Sequence, residues 1–236
     1  MGEEGVVMAF VPPLAPIVVL AFLGTAALLA VAAVVFLYAV VAKKGRLIFA
    51  VVLGIAGLLV FYGGSLLAAS ALSREQVLLP GEKKYFCEID CHLAYSLVSV
   101  EIAHQLGTPP HLARPAGRFL VVTVRTWFDE STISPRRPKD ATLYPNPRVI
   151  YIQDAQGRRY DPSIAGESAL AATGRASTPI TQPLRPGDSY TTSFVFDLPE
   201  DARDPRLFLG DAPGVEFLLI GHEMSPWHRR VWFALK

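Results

Sequence analysis

Charge is what the first third of this sequence lacks. Between Leu14 and Leu72 the only charged side chains are Lys43, Lys44 and Arg46. The uncharged runs LAPIVVLAFLGTAALLAVAAVVFLYAVVA (14–42) and LIFAVVLGIAGLLVFYGGSLLAASAL (47–72) each exceed the roughly 20 apolar residues that cross a hydrocarbon layer, so both are expected to be transmembrane helices. The four residues between them, KKGR, leave room only for a tight antiparallel hairpin. A cleavable signal peptide would put basic residues before an apolar run of about 7–15, and here an acidic MGEEG precedes a run twice that length. Cytoplasmic loops collect Lys and Arg, so the turn is expected on the cytoplasmic side, with both termini outside the inner membrane. Ala50, Gly54, Gly57, Gly63 and Gly64 would let a neighbouring helix approach closely, or are ordinary glycine use in a membrane helix.

A dominant charge sign is also missing. Three of the 22 basic residues lie in the turn and two of the 21 acidic ones are Glu3 and Glu4, which leaves 19 of each after Leu72. Nucleic-acid binding rests on a basic patch that neutralises phosphates, and that class is set aside. No GxSxG elbow, HExxH helix, phosphate-cradling glycine loop or nucleotide fingerprint occurs, so no enzyme is expected.

After the polar stretch SREQVLLPGEKK (73–84), apolar residues recur at every second position, as in half-buried strands. In GRFLVVTVRTWF, Leu120, Val122, Val124 and Phe128 fall on one side and Phe119, Val121, Thr123 and Arg125 on the other. RVIYIQDAQGRRY reads as a hairpin turning at Asp154 to Gly157. SYTTSFVFDL sets Tyr190, Thr192, Phe194, Phe196 and Leu198 against Ser189, Thr191, Ser193 and Asp197, opened by a Pro-Gly-Asp turn. PRLFLG, VEFLLIGHE and HRRVWFALK read as three further strands, and AGESALAAT (165–173) as a short helix. About seven short strands punctuated by Pro and Gly predict a two-helix transmembrane hairpin followed by an all-β immunoglobulin-like sandwich. The expected divisions are 1–72 for the hairpin, 73–84 for a connector and 85–236 for the extracytoplasmic domain. The proline-rich stretch 129–148 is long for a loop, and is either a stiff crossover between sheets or a binding loop.

Along 117–235, the order of a strand, DAQGRRYDPS, PLRPGDSYTTSFVFDLP and PRLFLG resembles a family of bacterial, membrane-anchored, extracytoplasmic immunoglobulin-like domains of unknown function. That resemblance implies a fold and a location, and no chemistry.

Cysteine is scarce: the chain has two, both in YFCEIDCHLAY (85–95). From Tyr85 to Leu97 the odd positions are apolar or sulfur, whereas Glu88, Asp90, His92 and Ser96 are polar, which reads as one long strand. On a straight strand Cys87 and Cys91 would stand about 13 Å apart, too far to bridge. If the strand begins near Leu93 instead, CEIDCH is a loop, where the pair could form the disulfide that oxidising compartments favour, remain two thiols, or bind a metal. Cys87, Cys91 and His92, with His222 and Met224 from GHEMSPWH, would combine thiolate, imidazole and thioether, a set that suits copper better than zinc. Met224 also has a plain packing role open to it, as do Trp127, Trp227 and Trp232 at a core or membrane interface.

A two-helix hairpin followed by a β-sandwich resembles subunit II of cytochrome c oxidase, where CxExC, then His and Met four and seven residues on, build a dinuclear copper centre. Here Glu88 directly follows the first cysteine, His92 directly follows the second, Tyr95 holds the expected histidine position, and the motif starts the domain instead of ending it. The similarity to CxxxC copper-delivery proteins of the same oxidase implies Cys87, Cys91 and His92 as ligands. Two functions are therefore expected: an accessory protein that binds other membrane or periplasmic proteins, or a copper-binding protein serving a respiratory oxidase.

Overall fold

The computed structural model describes residues 7–8, 15–86, 92–132, 138, 140–175 and 177–236. They divide into two compact units. One comprises β1 (Val7–Met8), Glu75–Gly214 and Arg230–Lys236, and the other the two long helices and Val215–Arg229.

The helical unit has α1 at Ala15–Val41 and α2 at Gly45–Leu72, close to the expected 14–42 and 47–72. The two helices pack against each other. Lys43 reverses the chain with a φ of 53°, and the Lys44 N–H donates to the Ala39 carbonyl at 2.9 Å. Lys44 Nζ reaches the Tyr38 hydroxyl at 2.9 Å, which ties the turn to the last turns of α1. A Cβ added at Gly54, Gly57, Gly63 or Gly64 would meet no atom within 4 Å, so the hairpin does not use these glycines for its own packing.

The other unit is a β-sandwich. Its strands after β1 are β2 (Gln76–Leu78), β3 (Lys83–Phe86), β4 (Leu93–Ala103), β5 (Arg118–Phe128), β6 (Arg148–Gln153), β7 (Arg159–Tyr160), β8 (Ser189–Leu198), β9 (Arg206–Asp211) and β10 (Val231–Ala234). One sheet runs β1-β3-β4-β5-β8, and the second β2-β10-β9-β6-β7. The core between them joins Leu120, Val122, Val124 and Phe128, the four β5 residues that alternation placed on one face, to Ile150, Ile152, Leu207, Leu209 and Phe233 of the second sheet. The predicted fold class therefore stands as a two-helix hairpin followed by an all-β, two-sheet sandwich.

The opposite face of β5 is also covered. Helix α3 (Ile164–Ala172), capped by Ser163 Oγ accepting from Gly166 N at 3.2 Å, lays Ala169 and Leu170 against Phe119, Val121 and Val195. The helix fits because Gly166 has no side chain: a Cβ there would stand 2.5 Å from Val195 Cγ1. The β6–β7 turn forms at Asp154 as expected. Its Oδ1 accepts from the backbone N–H of Gln156 and Arg158, and its Oδ2 from Arg158 Nε and the Tyr160 hydroxyl.

Three sequence expectations are corrected. The stretch 73–84 is not only a connector, since β2 pairs in parallel with β10 and β3 begins at Lys83. One strand from Tyr85 through Leu97 is excluded, because Phe86 is the antiparallel partner of Leu93 and the chain has reversed between them. VEFLLIGHE is not a strand: Val215–Leu218 is a 3-10 turn followed by further turns, in a run whose apolar residues Leu218, Leu219 and Ile220 are consecutive and do not alternate.

Gly166 yields a test. Overpacking costs about 1–3 kcal/mol, more than the roughly 1 kcal/mol that Ala gains over Gly inside a helix. Gly166→Ala is therefore expected to lower the denaturation midpoint of the detergent-solubilised chain, and an unchanged or higher midpoint would contradict the close α3–β8 contact.

Candidate functional site

The CEIDCH motif joins β3 to β4, and the structure shows what holds its flanks. Cys87 and Cys91 lie outside the described residues, so the disulfide, thiol and metal readings of that pair fall there too. On the near side, the Tyr85 hydroxyl donates to Asp129 Oδ2 at 2.5 Å. On the far side, the Asp129 N–H donates to the His92 carbonyl at 2.7 Å. Asp129 Oδ1 accepts from Ser131 N and Oγ, so one buried residue just past β5 fastens both ends of the motif to the start of the long proline-rich stretch. Burial by itself would raise the Asp129 pKa, but the hydrogen bonds from Ser131 and Tyr85, with the charge of Lys83, outweigh it and hold the carboxyl below the usual range. His92 is buried, its ring stacked on Phe128 with centroids 5.6 Å apart.

Behind this clamp lies a layer of buried cations. Lys84 shares the inward face of β3 with Phe86 and is completely buried. Its Nζ donates to the carbonyls of Leu209 (2.6 Å) and Val231 (3.2 Å), where the β9–β10 ladder has ended one pair earlier at Phe208 and Trp232. The lysine thus bridges the two sheets and serves two carbonyls just beyond the end of the β9–β10 ladder. The Arg148 side chain, also fully buried, pairs with Asp211, donates from Nε to the Tyr95 hydroxyl at 3.3 Å, and sits 4.1 Å from the Phe86 ring centroid. The Tyr95 ring meets Phe86 edge-on at 5.2 Å.

On the solvent side of the same sheet, an open groove of 620 Å³ runs across β3, β4 and β5, lined by Lys83, Ser96, Val98, Arg125, Trp127 and Ser189. Lys83 Nζ lies 4.2 Å above the Trp127 ring. Two cations, an aromatic plane and hydroxyls give this groove the means to hold a partner's acidic or polar side chains.

His92 belongs to the sandwich unit, and His222 and Met224 to the helical unit. His222 and Met224 do stand together: the Met224 N–H donates to His222 Nδ1 at 3.2 Å, which occupies that nitrogen as an acceptor. His222 and Glu223 are buried, and burial pushes the His228 pKa down despite its bond to the Arg229 carbonyl. Among the described residues no three His, Cys, Asp or Glu side chains converge as metal ligands. Lys84, Asp129 and Arg148 are functional-site residues that sequence patterning does not mark.

No family model matches the chain, and no curated protein does. Among solved structures, it is similar to MPT63, a secreted protein from Mycobacterium tuberculosis (12% identity, 70% of this chain and 99% of that one, TM-score 0.39). It is also similar to the yjhA protein from Bacillus subtilis (13%, 67% and 98%, TM-score 0.38) and to a conserved hypothetical protein from Bacillus anthracis (14%, 50% and 82%, TM-score 0.36).

The clamp sets a pH dependence. Asp129 ionises more readily folded than unfolded, so its stabilisation is complete above the ordinary aspartate range near pH 4 and is lost as pH falls through the lower folded value. Tyr85→Phe removes one of its bonds and is expected to cost about 1–3 kcal/mol at neutral pH. Denaturation curves at neutral and acid pH should show the variant losing less stability on acidification than the native chain. Parallel losses would mean the bond does not act through the carboxylate.

Proposed function

We propose that this chain is a membrane-anchored, non-enzymatic accessory protein. Its hairpin spans the inner membrane, and its sandwich, outside the cytoplasm, holds another membrane or periplasmic protein. The observation that carries the proposal is the state of the two apolar helices: in their most apolar stretches only 6% of the first and none of the second is buried. Leu20, Val34, Leu37, Leu53, Val60 and Phe61 are all more than half exposed. Such a surface is untenable in water, whereas each Leu, Ile, Val or Phe near a bilayer centre gains about 0.3–0.6 kcal/mol. Lys43, Lys44 and Arg46 at the hairpin turn support a cytoplasmic turn. The sandwich, with 19 basic and 19 acidic residues after Leu72 and an open groove, suits a protein partner better than a nucleic acid. The layout of 117–235 agrees with the bacterial family of membrane-anchored immunoglobulin-like domains it resembles.

The copper reading draws no support from the described residues, and Cys87 and Cys91 lie outside them.

Topology and role have separate tests. Alkaline phosphatase, active only outside the cytoplasm, is expected to be active when fused after Lys236, and green fluorescent protein at the same point to stay dark in an export route that carries it unfolded. The reverse pattern overturns the topology. Deleting the protein is expected to shift at least one membrane complex on native gels, and an unchanged set overturns the accessory role.

A further inference from the structure

Between β9 and β10 the chain leaves the sandwich unit: Val215–Arg229 belongs to the compact unit of the hairpin. Two hydrogen bonds fasten this excursion to α2. The Tyr62 hydroxyl donates to the Leu218 carbonyl at 2.8 Å, and the Arg229 N–H donates to Ser73 Oγ at 2.8 Å. Tyr62 and Ser73 are separated by three turns of helix, about 16 Å at a rise of roughly 1.5 Å per residue. The excursion therefore runs along the outer end of α2.

The depth of that contact follows from helix length. The 28 residues of α2 extend about 42 Å, against a hydrocarbon thickness of about 30 Å. Counted from Leu47, just past the basic turn, the hydrocarbon ends near Leu66, which leaves Tyr62 about one helical turn inside its outer boundary. A peptide carbonyl at that depth must find a donor, and Tyr62 provides one to Leu218.

The side chains that the excursion turns outward fit the same depth. Val215 is 59% exposed, Phe217 50%, Leu218 37% and Trp227 79%. Trp227 is held at a φ of 60°, a left-handed backbone that L side chains rarely adopt. The acids are not presented with them: Glu223 is buried, and Glu216 is half-buried with Oε2 shielded. Exposed Arg74 and Arg229 mark the headgroup level at the end of α2. Outward apolar residues, a tryptophan and flanking cations form the pattern of a segment lying in the plane of a membrane interface.

We propose that Val215–Arg229 is a monotopic membrane-interface segment, with Phe217, Leu218 and Trp227 inserted at the boundary between headgroups and acyl chains of the outer leaflet, and Arg229 on lipid phosphates. This rests on the reading of α1 and α2 as membrane spans. It adds a third point of lipid contact, far from the helices in sequence.

The experiment reconstitutes the full chain in vesicles of phosphatidylethanolamine and phosphatidylglycerol, with or without phospholipid brominated high on its acyl chains, and compares native protein with Trp227→Phe. The part of the emission that Trp227→Phe removes is expected to be blue-shifted and to lose at least half its intensity in brominated vesicles. Trp127 and Trp232 contribute equally to both proteins and cancel. Should Trp227→Phe not accumulate, Phe217→Trp in the otherwise native chain is expected to add a quenchable emission. Protein that survives carbonate washing with its Trp227 emission unquenched and water-like overturns the interfacial segment alone. Protein stripped by carbonate overturns the spanning hairpin and this inference together.

Discussion

The sandwich is registered against β5. Its eleven residues pair with β4 on one side and with β8 on the other along nearly their whole length. Both of its faces are apolar: Leu120, Val122, Val124 and Phe128 enter the core, and Phe119 and Val121 lie under α3. A slip of one residue would exchange those rows, taking Leu120 and Val122 out of a core shaped for them and bringing Thr123 and Arg125 in. Register at β5 therefore fixes the position of β4 and β8. It also sets the heights of Phe128 and Asp129, from which the clamp on the CEIDCH motif hangs.

That constraint explains how much the sequence could disclose. The strands around β5 were legible because their alternation is strict and one face of each is buried, and the β6–β7 turn was legible because Asp154 and Gly157 do local chemistry. The β3–β4 reversal was hidden by a change of phase. In β3 the inward residues are even-numbered, Lys84 and Phe86; in β4 they are odd-numbered, Leu93, Tyr95 and Leu97. Tyr85 is buried on the other face, through its bond to Asp129, and so it extends the odd series falsely into β3. A period-two count cannot separate a residue buried in a core from one buried by a hydrogen bond.

The polar layer of the site was illegible for another reason. Lys84 finds its carbonyls 125 and 147 residues away, and Arg148 finds Asp211 across the second sheet. Nothing near Lys84 in the chain signals burial, because what makes burial tolerable is the end of the β9–β10 ladder, a feature of the assembled sheet. Groups of this kind are costly to leave unpaired, so the layer constrains which sheet geometries are acceptable more than it adds to stability.

Among the described residues outside the hairpin, several charges are paired across the fold. Arg158 lies between Asp154 and Asp201, Arg175 forks onto Glu101, and Arg206 meets Glu75. The pairs open to solvent among these, Arg158–Asp201, Arg175–Glu101 and Arg206–Glu75, contribute little stability. Their larger effect is to cancel one another's field at short range. Lys83 and Arg125 line one groove together, beside the plane of Trp127. In the proposed accessory role, recognition at this surface would rest on contact at the groove, and a membrane anchor shared with the partner would supply the co-localisation that brings the two into contact.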